Sequence, residues 1–159
     1  MKERKHAMIA RLLATALAAL GLSGPAPAQP QSENMKLMGE IARVLASHEE
    51  MAGIDWIEVS VVFSFDDGEV SSTYGYAYDA SGNWTAISFK PREVRPQVNA
   101  YREWLRLEGD KGFIKMLFQF NRETRKVKAE FEYDNADRWK ITPENVDAMI
   151  DELRPDLDK

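Results

Sequence analysis

The clearest structural signal in this chain is the stretch of residues 113–153, FIKMLFQFNRETRKVKAEFEYDNADRWKITPENVDAMIDEL. Apolar and polar side chains alternate over 113–120 and again over 127–134, which predicts two half-buried strands. Pairing Phe120 with Val127 places apolar residues opposite one another along one face of this hairpin. The opposite face then pairs polar residues: Lys115 with Glu132, and Gln119 with Lys128.

A capped helix follows these two strands. Thr142 is suited to the N-cap and Pro143 to the first helical position, and Pro155 stops the helix. Apolar residues recur at helical spacing between these limits. They are Val146, Met149, Ile150 and Leu153.

The preceding part of the chain predicts two helices and three strands. The helices are expected over 34–48 and from about 91 to 108, and the strands over 54–65, 69–78 and 84–89. In the second helix, Val94, Val98, Tyr101 and Leu105 form the core stripe, and Arg95, Arg102 and Arg106 form a basic solvent face. The order α-βββ-α-ββ-α predicts an α+β fold: a single antiparallel sheet of about five strands with helices packed on one face.

The first two strands are predicted to form a tight hairpin. Asp67-Gly68 favours a two-residue turn, because such a turn needs a positive φ at both positions. An uninterrupted register from this turn pairs Val61 with Tyr74. The row Tyr74, Tyr76 and Tyr78 then lies on the same face as the aliphatic residues. The next loop, near residues 79–83, fits either three or four residues.

The N-terminus has the features of a secretory signal peptide over residues 1–28. Four basic residues precede a short apolar run, and Ala26-Pro27-Ala28 offers a cleavage site. The apolar run is too short to span a bilayer, so no stable membrane anchor is expected after cleavage. A disordered linker is predicted over 29–34 and one domain over 35–159. The alternatives are an ordinary N-terminal helix, or translation from Met35, which would leave the protein in the cytoplasm.

Composition excludes several classes of function. The chain has no cysteine, which excludes disulfides, zinc–thiolate sites and cysteine nucleophiles. Its net charge is −5, and cleavage after Ala28 would make it about −8, because four basic residues and one acidic residue are lost. An acidic domain repels nucleic acid and attracts a basic protein partner.

No pattern of catalytic or metal-binding residues stands out. His48 is expected to act as a cation at a helix C-terminus, and the carboxylates Asp66, Asp67 and Glu69 cluster at a hairpin tip exposed to water. Asp79 begins a run similar to a calcium loop, but Lys90 occupies the position where such a loop needs Glu. We therefore expect no catalytic residue, no metal site and no cofactor.

Acidic residues next to an aromatic ring form the candidate binding surface. Carboxylates in a row could steer a basic partner, and the ring could anchor it. The alternative is an ordinary solvated sheet face, partly neutralised by Lys115 and Lys128. The candidate partner-binding residues are Glu130, Glu132, Asp134, Asp137 and Trp139.

The order of motifs resembles that of the YezG-like family of bacterial immunity proteins, over most of residues 36–155. The matching segments are MGEIARVL, a strand led by Trp56, STYGYAY, YREWLRL, FEYDNADRW and ITPEN. The resemblance implies a non-enzymatic antitoxin that binds and blocks a cognate toxin, often a nuclease domain. Such proteins are usually cytosolic, whereas the signal-like segment here predicts a periplasmic or secreted protein.

Two other functions are compatible with the sequence. One is a periplasmic structural or sensory domain, since the chain combines a signal-like start with no catalytic motif. The other is a small hydrolase or ligand-binding domain, in which the tyrosine row would line a cavity instead of filling one.

Overall fold

The computed structural model describes residues 29–158. Its helices are α1 (Gln29–Ala46), α2 (Pro91–Leu107) and α3 (Val146–Glu152), with a 3-10 turn at Glu49–Met51. Its strands are β1 (Glu58–Asp66), β2 (Glu69–Tyr78), β3 (Trp84–Ile87), β4 (Lys115–Asn121) and β5 (Val127–Glu132). The predicted signal peptide lies outside the described residues. Within residues 29–158, none of the helices has both the length and the apolar composition needed to cross a bilayer.

The strands form one antiparallel sheet in the order β3-β2-β1-β4-β5. This confirms the predicted α+β class. The β4–β5 register is also as predicted, with Phe120 opposite Val127 and Lys115 opposite Glu132. The central strand β1 is buried from Val59 to Phe63, on both of its sides. Both faces of the sheet therefore have cover at the centre.

The first face of the sheet, defined by Val59, Val61 and Phe63, is covered by α1 and α2. All four predicted stripe residues of α2 are buried. The two helices are joined where the Tyr101 hydroxyl donates to Asn34 Oδ1 at 2.9 Å. Asn34 is buried in the second turn of α1, so this part of the predicted linker is helical.

Two arginines of α2 bind backbone carbonyls, so the predicted basic solvent face is wrong for them. Arg95 Nε donates to Val70 O at 2.9 Å, and Arg102 Nε donates to Phe113 O at 3.0 Å. Arg102 also lies over the Phe65 ring. These guanidinium groups tie α2 to strand ends, where carbonyls lack partners within the sheet.

A β-bulge near the first hairpin reverses the predicted position of the tyrosines. The predicted pair Phe65–Val70 forms, but the next pair is Ser64–Ser72, which leaves Ser71 as an extra residue. Val62, not Val61, therefore lies opposite Tyr74. The prediction that the tyrosines share the aliphatic face is wrong, because a one-residue slip moves every later side chain to the opposite face.

The second face of the sheet, defined by Ser60, Val62 and Ser64, is covered by α3 and the segment that leads to it. The expectation that all helices pack on one face therefore fails for α3. Its end is fastened to the sheet: Gln119 Nε2 donates to Leu153 O at 2.9 Å, and Ser60 Oγ donates to the same carbonyl. The Tyr78 hydroxyl donates to Ile150 O at 2.8 Å.

Local side-chain bonds explain two further differences from prediction. Asn145 Oδ1 accepts from Thr142 N–H at 2.7 Å, which holds a turn before α3, so Thr142 is not its N-cap. In the β2–β3 loop, Asp79 N–H donates to Asn83 O, and Tyr78 pairs with Trp84. Three residues, 80–82, remain between these bonded ends, which matches the shorter of the two loop alternatives.

Candidate functional site

The predicted acidic face of β5 exists, but its charges are balanced locally. Arg138 contacts Glu132 Oε2 at 3.2 Å and Glu130 Oε2 at 3.4 Å. Lys128 Nζ lies 2.9 Å from the other oxygen of Glu130. The two carboxylates thus share a guanidinium and an ammonium, and a basic partner would have to compete with both for them.

Glu132 has a structural role in the turn that follows β5. Its Oε1 accepts the backbone N–H groups of Tyr133, Asp134 and Asn135 at 2.9, 2.9 and 3.0 Å. These backbone bonds, first that of Asn135, and the Arg138 guanidinium lower the pKa of Glu132 to about 2. The side chain caps a turn, and its replacement would disturb the path of the chain before any partner was bound.

Trp139 is buried, so its ring is not accessible to a partner as the proposed anchor would have to be. The residue is only 6% exposed and belongs to the core of the second face. Arg138 lies over its ring at 4.1 Å, and Tyr74 donates its hydroxyl proton to the Trp139 carbonyl. Its φ is 59°, a left-handed conformation that sequence periodicity cannot predict.

The other two candidate residues, Asp134 and Asp137, are open to solvent. Their side chains are 89% and 79% exposed. Each has a lysine nearby: Lys111 lies 3.8 Å from Asp134, and Lys140 lies 3.3 Å from Asp137. Exposed ion pairs of this kind are weak and screened by salt, so both carboxylates can exchange partners.

Further exposed carboxylates follow in a region that the sequence analysis assigned only to the core. The sequence-based prediction covers only the apolar stripe of α3, whereas the opposite side of this helix is acidic. The polar positions at the same helical period were the available signal. These exposed residues are Glu144, Asp147, Asp151 and Glu152.

His48 has a structural position. Its Nδ1 accepts the Glu50 backbone N–H at 3.1 Å, so Nε2 carries the proton that it shares with Glu93 Oε2 at 2.9 Å. This bond lowers the pKa of Glu93. The imidazole caps the 3-10 turn, which differs from the predicted role at the C-terminus of α1.

The other carboxylates considered as sites lie in turns. Asp66, Asp67 and Glu69 are exposed at the hairpin tip. Asp79 accepts two backbone N–H groups and the Asn83 amide, which completes its own loop. In the part of the chain that the structure describes, no three His, Asp or Glu side chains are grouped in a way that could hold a metal ion.

A cleft of about 720 Å³ opens on the second face of the sheet. Its floor comes from β1, β2, β3 and β4, and its wall from the segment 136–141. Tyr74 and Tyr76 line it, whereas Tyr78 is buried against α3. Two tyrosines of the row thus border open space, and the bulge in β2 places them there.

Comparison with known proteins does not identify a family. No protein-family model matches the sequence. A search of curated proteins also finds no significant match. The resemblance to the YezG-like family therefore stays a prediction.

Proposed function

We propose that this protein is a non-enzymatic immunity protein that binds and neutralises a basic toxin domain through an acidic surface. The observation that carries the proposal is the C-terminal acidic segment, residues 134–152. It contains six acidic residues and two basic residues. Asp134, Asp137 and the acidic side of α3 expose its carboxylates to solvent.

The carboxylates of this segment differ in how strongly they are held. Glu130 and Glu132, just before it, are bound to Arg138. By contrast, Glu144, Asp147 and Glu152 form no ion pair with any other residue in 29–158, and all three are exposed. Carboxylates without an internal partner can contact a basic protein without first losing a bond within the chain.

The fold gives this segment a fixed position. The side chains of Ser60, Gln119 and Tyr78 hold the backbone of α3 against the sheet. A rigid acidic surface loses little conformational entropy on binding, and its field raises the association rate with a basic partner. If the toxin is a nuclease, the same carboxylates would compete with the phosphate groups of its substrate.

The signal-like N-terminus supports a place of action in the periplasm, although translation from Met35 would leave the protein in the cytoplasm. N-terminal sequencing of the protein purified from its native host distinguishes the periplasmic from the cytoplasmic location. A chain beginning near Gln29 supports export, and a cytosolic chain beginning at Met1 or Met35 contradicts it.

Binding to the toxin domain encoded beside this gene tests the proposal. The test variant replaces three carboxylates without changing their shape: Glu144→Gln, Asp147→Asn and Glu152→Gln. We expect about tenfold or greater loss of affinity at low salt, mainly through a slower association rate. The difference should shrink as salt rises, because exposed charges are screened.

The matched control neutralises the hairpin tip with Asp66→Asn, Asp67→Asn and Glu69→Gln. It removes the same number of exposed carboxylates from the opposite end of β1. Equal loss of affinity in both variants would mean that only the net charge of the protein matters, and it would contradict binding through a defined acidic surface. A neighbouring toxin domain that does not bind the unmodified protein even at low salt, or a gene without such a neighbour, would remove the proposal.

A further inference from the structure

The cleft on the second face contains a buried cation that makes no ion-pair contact with a carboxylate in residues 29–158. Lys115 is only 8% exposed, and its Nζ donates to the Arg138 carbonyl at 2.9 Å. An ammonium has three N–H groups to satisfy. The nearest carboxylates, Glu132 and Asp137, form their ion pairs with Arg138 and Lys140 instead of with Lys115.

A buried ammonium in this position is stabilised by any anion that enters the cleft. Burial lowers the pKa of Lys115, and the more distant charges of Asp137, Lys140 and Glu132 only partly adjust it. Loss of hydration without a counter-ion is costly, so an anion that reaches Nζ gains a strong, charge-assisted hydrogen bond. Lys140, also in the lining, adds a second and more exposed positive charge, which Asp137 at 3.3 Å partly offsets.

The rest of the lining favours a flat apolar group. Tyr74, Tyr76 and Ile141 border the cleft. The Tyr74 hydroxyl is already bound to the Trp139 carbonyl, so the ring offers its apolar surface. A volume of about 720 Å³ lies within the range of small-molecule sites.

The charge of the whole protein limits the size of the anion. The chain has a net charge of −5, whereas the cleft lining has two lysines and one aspartate. A polyanion such as nucleic acid would meet the surrounding acidic surface, whereas a small monoanion would meet only the cleft lining, whose two lysines outnumber its one aspartate.

We propose that this cleft binds a small organic carboxylate, with its carboxylate at Lys115 and Lys140 and a flat apolar body against Tyr74. The site lies apart from the exposed side of α3, and it does not depend on the toxin-binding proposal. It is also the kind of site that a sensory domain would need.

A matched pair of probes tests the charge requirement without any mutation. Phenylacetate and phenylacetamide have the same ring and nearly the same shape, but only the first is an anion. In ¹H–¹⁵N NMR titrations of the full chain, phenylacetate should shift the amide signals of residues 72–76, 115 and 137–141. Phenylacetamide should bind about tenfold more weakly or not at all.

Lysine variants test the position of the charge. Lys115→Met keeps the length of the side chain and should reduce phenylacetate affinity about tenfold or more. Lys140→Gln changes an exposed side chain that folding does not require, and should reduce it by a smaller factor. Lys128→Met, on the same face but paired with Glu130, is the control and should bind as the unmodified protein does.

Three outcomes would overturn the proposal. They are equal binding of the two probes, shifts confined to other parts of the protein, and phenylacetate affinity that neither Lys115→Met nor Lys140→Gln reduces. If Lys115→Met does not fold, the probe pair and Lys140→Gln still decide between these results. Absence of saturable shifts at millimolar phenylacetate would also count against the site.

Discussion

The two faces of the sheet are covered in different ways. On the first face, α1 and α2 bury a continuous set of aliphatic and aromatic side chains. On the second face, polar side chains of the sheet donate to carbonyls of the C-terminal segment. These contacts join Ser60 and Gln119 to Leu153, Tyr78 to Ile150, Tyr74 to Trp139 and Lys115 to Arg138.

This difference follows from the kind of segment that each face receives. The carbonyls inside a long helix are satisfied within it, so α1 and α2 contact the sheet mainly through apolar side chains. Their polar contacts are side-chain donors of α2, such as Arg95 and Arg102, which bind carbonyls near strand ends. The segment 134–145 and the end of the short α3 leave carbonyls without internal partners, and a buried carbonyl must find a donor. On the second face, the C-terminal segment is held by separate hydrogen bonds, and the cleft opens in the space between these contacts.

Gly75→Ala has the largest expected effect, because it acts on the strand that both faces share. A Cβ at this position would lie 1.9 Å from the carbonyl oxygen of Ser60 in the central strand. Relief of this clash requires movement of the β1 or β2 backbone. We expect the free energy of unfolding to fall by about 3 kcal/mol or more, measured by urea denaturation.

Hydrogen exchange on Gly75→Ala should show equal loss of protection on both faces. Gly39→Ala in α1 is the control, because its Cβ would have no atom within 4 Å. Gly39→Ala should raise the free energy of unfolding by up to about 1 kcal/mol, because alanine favours a helix more than glycine does. A Gly75→Ala protein that loosens only the second face would show that the two covers do not depend on a shared sheet.

Glu132→Gln should have an intermediate effect, and only above acidic pH. The native pKa of Glu132 is about 2, below its ordinary value, so the carboxylate stabilises the fold above pH 4.5. That contribution is lost as the pH falls from about 4.5 towards 2. We expect Glu132→Gln to lose about 2 kcal/mol at pH 7 and to converge on the unmodified protein near pH 2.

Urea denaturation of both proteins at several pH values measures this convergence. Asp134→Asn, in the same turn but exposed, is the control and should change the free energy of unfolding at pH 7 by less than about 0.5 kcal/mol. Parallel curves for Glu132→Gln and the unmodified protein would mean that the turn does not need the charge. The second face would then be held by its apolar contacts and by the hydrogen bonds of Ser60, Gln119 and Tyr78, which do not involve Glu132.

The sequence predicts the first face better than the second for a physical reason. The stripe from Val94 to Leu105 and the β4–β5 register follow from hydrophobic periodicity, which reports burial against a regular partner. The bulge at Ser71 cannot be predicted from this periodicity. Ser71 and Ser72 are both polar, so the alternation of polar and apolar residues fits a strand with the bulge as well as one without it. That single residue decides which face the tyrosines occupy.

The sequence pattern also predicts only part of the candidate site. Alternation correctly places Glu130 and Glu132 on one face of β5. Their neutralisation by Arg138 depends on the path of the turn after the strand, and that path includes a left-handed Trp139. A conformation set by tertiary contacts leaves no periodic signal in the sequence, so the sequence does not reveal that Arg138 bridges the two carboxylates.

The smallest expected effects come from removing one tyrosine hydroxyl on each face of the sheet. Tyr78→Phe removes the hydroxyl that donates to Ile150 O, and Tyr101→Phe removes the one that donates to Asn34 Oδ1. Each should cost about 1 kcal/mol in free energy of unfolding.

The affected regions should differ: Tyr78→Phe should increase hydrogen exchange in α3, and Tyr101→Phe in the first turns of α1. Because α3 has seven residues and α1 has eighteen, the exchange of α3 should rise more than that of α1 does. An equal rise in both helices would mean that point contacts and continuous packing hold their covers equally well, and the contrast between the faces would be one of composition only.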